Sequence, residues 1–192
     1  MHLPTILLTL LPTLTLSTLI FPRQLLATGQ TVKEDVINIH NAVLALDSTI
    51  QSFQGSPIPT SLIEGTPVLF GVAEIHKVNR AGFCNALLAT PFTVEDSRDV
   101  VDTVVDTVNV SIPTSIERLK AKAPAFKEGG LTVTVIASLK LLLYDHDTFS
   151  AATIAKLNLG VGAEKIEEGS DAVANIHNAI QGGIEFFAAD SV

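Results

Sequence analysis

The chain has 192 residues, 47% of them hydrophobic, with a mean hydropathy of +0.42 and a formal charge of −8. An acidic surface repels phosphate backbones and anionic membranes, which argues against nucleic acid as a partner. Cys84 is the only cysteine, so no internal disulfide can form and packing alone must hold the domain.

From Leu3 to Phe21 the chain carries no charge and is rich in Leu and Ile. Ala27 and Gly29 place small residues for cleavage before Gln30. A membrane anchor is the competing reading, since the run is long enough. Pro4, Pro12 and interspersed threonines dilute it, and no basic cluster follows. The expected organisation is a secretion signal over residues 1–29 and one domain over 30–192. The product is secreted and extracellular, with no transmembrane segment after cleavage.

The first mature helix opens on Thr31 and Glu34, a T-x-x-E capping box. Val32, Val36, Ile39, Val43, Leu46, Ile50 and Phe53 follow at alternating spacings of four and three, a heptad-like seam. Gly55, Pro57 and Pro59 end it. A second helix is expected from about Ser61 to Leu88, with Leu62, Leu69, Val72, Ile75 or His76, Asn79 and Phe83 on its face. Pro67 should kink it or delay its start.

The stretch from Thr93 to Phe126 decides the fold class. Val101, Val104, Val105 and Val108 are spaced three and four apart, and Asp99, Asp102, Asp106 and Asn109 follow the same period on the opposite side. Valine favours strands, but a strand needs alternation and both stripes here are helical. Thr93 serves as N-cap, with Asp96 charging the first turn. Pro113 predicts a kink or new start near Ser111, after which Ile116 and Leu119 point inward. Lys122 to Gly130 reads as a loop.

Leu131 to Asp147 alternates at first, yet the run is too long for one strand and has no strand to pair with. It is read as a helix with Val135, Ser138, Leu139 and Leu142 inward. Thr148 would cap a separate short helix, Phe149 to Lys156. After Gly160 and Gly162 a last helix spans Ala163 to Phe187, with Val173, Ile176, Ile180, Ile184 and Phe187 inward. The sum is all-α: an antiparallel bundle of about five long helices with short Pro/Gly loops. Asn38–Val43 and Asn175–Ile180 are near-identical six-residue stretches, read as similar helix faces rather than a duplicated unit.

No catalytic constellation is present: no G-x-S-x-G elbow, no H-E-x-x-H, no P-loop. The chain is read as non-enzymatic, with no cofactor and no metal. Tyr144-Asp145-His146-Asp147 offers donors but no spaced partners, and a solvated acidic helix end explains it better. Cys84 lies in an apolar stretch, where a thiol more often packs than reacts. Asn109-Val110-Ser111 is a glycosylation sequon on the polar stripe, and Asn109 is the expected acceptor.

What remains is binding by an apolar interior. The expected lining is Val36, Val43, Ile50, Phe53, Leu69, Val72, Val101, Val105, Val108, Val135, Ser138, Leu142, Ile176 and Ile180. Ser138 could orient a carboxylate, although a bond back to the carbonyl four residues earlier is the commoner use of such a hydroxyl. Facing aliphatic stripes can also pack solid, which would leave an interfacial coat protein.

The segments DSRDVVDTVVDTVNVSIPTSIERLKAKAPAFKEGGL and LKLLLYDHDTFSAATIAKL resemble the fungal hydrophobic surface-binding protein A family, which includes cell-wall galactomannoproteins. The carrying residues are Ile112, Pro113, Ile116, Leu119, Lys120, Ala121, Lys122, Pro124 and Phe126, then Asp147, Thr148, Phe149 and Ser150; VINIHNAVLALDSTIQSFQG fits the family's opening. The resemblance implies a secreted helical domain that encloses fatty acids or similar apolar molecules. It also implies the alternative, a cell-wall protein that adsorbs to hydrophobic surfaces and recruits a secreted polyester hydrolase. The ending IEFFAADSV shows no Ser/Thr-rich stalk and no apolar tail, so a lipid anchor is not expected.

Overall fold

Thr28 sets the first helix. Its hydroxyl accepts from the Thr31 N–H, and the Thr31 hydroxyl accepts from the Thr28 N–H, a reciprocal cap. The expected Thr31–Glu34 box is therefore displaced by three residues: Thr31 is the inner partner, and Glu34 stands exposed. The computed structural model describes residues 27–55 and 58–189. Most of the leader expected over residues 1–29 lies outside them.

The helices are α1 (Gly29–Ser52), α2 (Ile58–Leu88), α3 (Val94–Asp106), α4 (Val108–Ala121), α5 (Ala123–Glu128), α6 (Thr132–Ile154) and α7 (Ala163–Ala189), with a 3₁₀ turn at Leu159–Val161. Because α3 and α4 run on as one rod, the long elements form five rods. Consecutive rods alternate in direction. In space they close into a ring ordered α1, α2, α6, α7 and α3–α4.

Parallel neighbours keep a nearly constant register. Along α1 and α3–α4, Lys33 meets Asp99 at 2.8 Å, His40 Nδ1 meets Ser111 Oγ at 3.0 Å, and Lys122 Nζ donates to the Phe53 carbonyl at 2.8 Å. Along α2 and α6, His76 meets Asp145 and Lys156 reaches the Ala89 carbonyl. Along α3–α4 and α7, Lys165 meets Asp102 and Asn175 meets Asn109. The similar Asn38–Val43 and Asn175–Ile180 stretches thus lie on the two rods that flank α4.

The heptad seam of α1 is buried throughout, from Val32 to Phe53. Each such aliphatic side chain contributes roughly 1.5–3 kcal/mol on burial. At one end Phe53 stacks on Phe126, centroids 4.4 Å apart, and Phe187 meets Phe126 edge-on. At the other, Gly29 lies so close to α3 that an added Cβ would stand 2.4 Å from Asp96 Cβ.

Several boundaries differ from expectation. The long central helix breaks at Thr107 (φ −119°, ψ −85°), not at Ser111. Pro113 sits inside α4, which continues through it. Lys122–Gly130 is not a plain loop, because it contains α5, begun with Pro124 near its start and closed at Gly130 (φ +68°). Thr148 caps nothing. Its hydroxyl bonds back to the Tyr144 carbonyl at 2.9 Å and α6 runs through it unbroken. Helix α2 starts three residues early, continues through Pro67, and turns Ser61, Gly65 and Val68 inward while Leu62 and Leu69 are exposed. Cys84, expected to pack, is exposed. Among the described residues no helix is long and apolar enough to cross a membrane.

Candidate functional site: an apolar cavity along the bundle axis

The ring encloses a cavity of about 170 Å³, lined from all five rods. Its wall runs from Phe126 and Leu131 at one end to Leu157 and Ile166 at the other. On the α3–α4 side the wall is made of Val100, Val101, Val104 and Val108, short and stiff side chains that reach less far toward the axis than a leucine or phenylalanine would.

Twelve of the fourteen expected lining residues stand on the wall: Val36, Val43, Ile50, Leu69, Val72, Val101, Val108, Val135, Ser138, Leu142, Ile176 and Ile180. Phe53 and Val105 do not. Phe53 is committed to its stack on Phe126. Val105 lines a separate open groove with Glu164, Glu167, Glu168 and Asp171 on the outer side of α7. The period of α3 placed Val105 with the inward valines, but Val100 and Val104 occupy that direction once the rod's rotation is set by its neighbours.

No Lys, Arg, Asp or Glu lines the cavity among the described residues. Its polar groups are neutral hydroxyls, one amide and one imidazole. Ser115, Thr134 and Ser138 lie toward the Phe126 end; Asn79, His146, Ser150, Thr153 and Ser170 lie toward the other. Ser138 forms no hydrogen bond among the described residues, so the expected back-bond to Thr134 is not made.

His146 is held by its Nε2–H donating to the Val173 carbonyl at 3.1 Å. A carbonyl only accepts, so the proton must sit on Nε2 and Nδ1 carries a lone pair. Burial pushes the imidazole below the usual histidine range, more strongly than the Val173 carbonyl and Asp147 pull it up. His146, Ser150 and Thr153 were not expected on the wall, although their spacing of four and three continues the inward stripe of Val135, Leu139 and Leu142.

The run Tyr144–Asp147 is not a solvated helix end. It lies mid-α6 and its side chains diverge. Asp145, fully buried, accepts from His76 Nδ1 at 2.6 Å, with Arg80 Nη1 3.8 Å away on its other oxygen. Asp147 meets His177 on α7 at 2.8 Å. Among the described residues no group of His, Cys, Asp and Glu is gathered for a metal.

Solved structures of similar shape share this architecture. AFMP4P in complex with palmitic acid superposes with a TM-score of 0.75 at 18% identity, covering 83% of this chain and 99% of that one. Ligand binding domain 1 of the Penicillium marneffei MP1 protein, complexed with arachidonic acids, gives 0.72 at 22% identity, covering 83% and 98%. Domain 2 of the same protein, complexed with multiple arachidonic acids, gives 0.66 at 19%, covering 81% and 92%. Identities this low establish the fold alone. No curated protein sequence matches the chain. The sequence model of hydrophobic surface binding protein A, however, matches residues 29–155, most of the described helices, and the chain belongs to that family.

Proposed function

We propose that this protein is a secreted, non-enzymatic binder of fatty acids or similar apolar molecules, which it holds along the axis of the bundle. The carrying observation is an uncharged cavity walled by aliphatic side chains from every rod. Each buried methylene contributes about 0.8 kcal/mol, so a long acyl chain gains on the order of 10 kcal/mol before ordering costs. The fold shared with the palmitic and arachidonic acid complexes supports the same reading.

As it stands the cavity of about 170 Å³ is close to the size of an engineered void that takes benzene. A long chain therefore requires its wall to widen. Leu69 and Ile154, far apart along the axis, both line the cavity and are partly exposed to solvent. Ser138, unpartnered on the wall, is the group we assign to the carboxylate. N-glycosylation at Asn109 belongs to the same secreted reading. Ser111 of that sequon is buried against His40, so the glycan would be added before the chain folds.

Mass spectrometry of gently extracted protein should show co-purified fatty acid, and a fluorescent fatty acid should bind saturably and be displaced by palmitic acid. Absence of both would refute the proposal.

A second reading has its own support. Ile63 and Phe70 on α2 are 75% and 71% exposed, and Val133 on the adjacent α6 is 74% exposed. Such a patch fits adsorption to hydrophobic solids or the cell wall, where a secreted hydrolase could be recruited. Binding to wax or polyester beads that Phe70→Ser weakens, without saturable lipid binding, would favour it.

A further inference from the structure

Along α6 the cavity-facing stripe changes character. Val135, Leu139 and Leu142 give way to His146, Ser150 and Thr153 on the following turns. Thr153 is buried and its Oγ1 has no hydrogen-bond partner among the described residues, although a helical threonine can usually bond back to its own helix. Among the described residues the lone pair of His146 Nδ1 has only the Ser150 hydroxyl within reach, at 3.5 Å, the limit of a hydrogen bond. Asn79, on the neighbouring α2, also lines the cavity and donates to the Ile75 carbonyl.

A buried hydroxyl without a partner and a histidine nitrogen that can only accept are wasted on a hydrocarbon tail. They are also wrong for a carboxylate, which would face the His146 lone pair with no cation on the wall among the described residues. They suit a group that both donates and accepts. We propose that this end of the cavity is a hydroxyl-recognition subsite, and that the preferred guest is a hydroxylated long-chain lipid whose hydroxyl settles at the level of Ser150, donating to His146 Nδ1 and accepting from Ser150 or Thr153.

The inference rests on the lipid-binding reading and adds a length requirement. Ser138 and Ser150 are twelve positions apart on α6, about 18 Å at 1.5 Å per residue. An extended chain advances about 1.25–1.3 Å per carbon–carbon bond of 1.52 Å. A carboxylate at Ser138 thus puts the far end of a chain of about sixteen carbons beside Ser150. The matching probe is 16-hydroxyhexadecanoic acid, compared with hexadecanoic acid.

The test measures the affinity of both acids for the full-length protein and for Thr153→Val, Ser150→Ala and Ser138→Ala by displacement titration. The wild-type protein should bind the hydroxy acid as tightly as the plain acid or more tightly, whereas a wholly apolar wall would penalise the buried hydroxyl. Thr153→Val and Ser150→Ala should each shift the affinity ratio at least threefold toward the plain acid. Thr153→Val is near-isosteric, so its folding is not at issue. Ser138→Ala should weaken both acids alike.

Weaker wild-type binding of the hydroxy acid overturns the subsite. So does a ratio unmoved by both α6 substitutions, which would mean that the cluster holds water only. A ratio moved by Ser138→Ala instead overturns the assigned direction and the subsite with it. Failure of both acids to bind refutes the lipid-binding reading itself, a result distinct from binding of hexadecanoic acid alone.

Discussion

The side-chain amide of Asn175 on α7 donates to Asn109 Oδ1 at 2.8 Å and to the Asn109 carbonyl at 3.4 Å. That carbonyl is the one Pro113, four residues on, cannot serve, because proline has no N–H. A neighbouring rod thus supplies a donor at the gap, and α4 passes through its proline intact. Asn175→Ala should destabilise the fold by about 1 kcal/mol. The loss should be smaller in a Pro113→Ala background, where a backbone N–H is restored. Urea unfolding of the four proteins of this double-mutant cycle measures the coupling.

The reciprocal cap at Thr28 makes the exact start of the folded chain matter. A protein beginning at Gln30, as the cleavage expected from the sequence would yield, lacks Thr28, and it also lacks the Ala27 carbonyl that accepts from the Thr90 N–H at 3.3 Å. It should be less stable than one beginning at Ala27 by about 1 kcal/mol. Denaturant midpoints of the two forms check this.

Occupying the cavity from its own wall should block lipid without unfolding the bundle. Val104 is half-buried and faces the void. Val104→Phe should lower the affinity for hexadecanoic acid by at least tenfold. Its stability should change by less than the roughly 1–3 kcal/mol that overpacking a filled core costs. Displacement titration and thermal melting on the same sample separate the two effects.

His146 carries a pH dependence of definite sign. Its folded pKa is depressed by burial, with Asp147 pulling it up and His177 pushing it further down. The unfolded chain therefore binds the proton more readily than the folded one. The stabilising contribution is fully present above the ordinary histidine pKa of about 6.5. It declines as the pH falls below that value and until the folded pKa is passed. His146→Gln should flatten this part of the profile, seen as a smaller drop in urea midpoint between pH 7.5 and pH 5.

The helical class, the α1 seam and the Thr93 cap were legible because each depends on residues within a turn or two of one another, and the backbone imposes the period of 3.6 on them. Most of the wall was legible for the same reason: an inward stripe on each rod must face whatever lies at the axis. Phe53 points inward as expected but is taken up by its stack on Phe126, and the apolar neighbours of Cys84 do not say which face it occupies. Val105 was misplaced because stripe membership does not fix how far each rod is rotated. That rotation is set by contacts such as Lys33–Asp99, His76–Asp145 and Asn175–Asn109, whose partners lie some seventy residues apart or a little less.

The helix break shows the same division. Pro113 announced a disturbance in the sequence, but the break falls at Thr107, and at the proline itself a donor from α7 serves the carbonyl left without its N–H. By itself the sequence determined the rods, their greasy faces and the ends of most of them, since these follow from local backbone geometry and side-chain shape. Only the tertiary structure decided the ring order, the void at its centre and the turning of His146, Ser150 and Thr153 into it, because these arise where faces from distant parts of the chain meet and must share one axis.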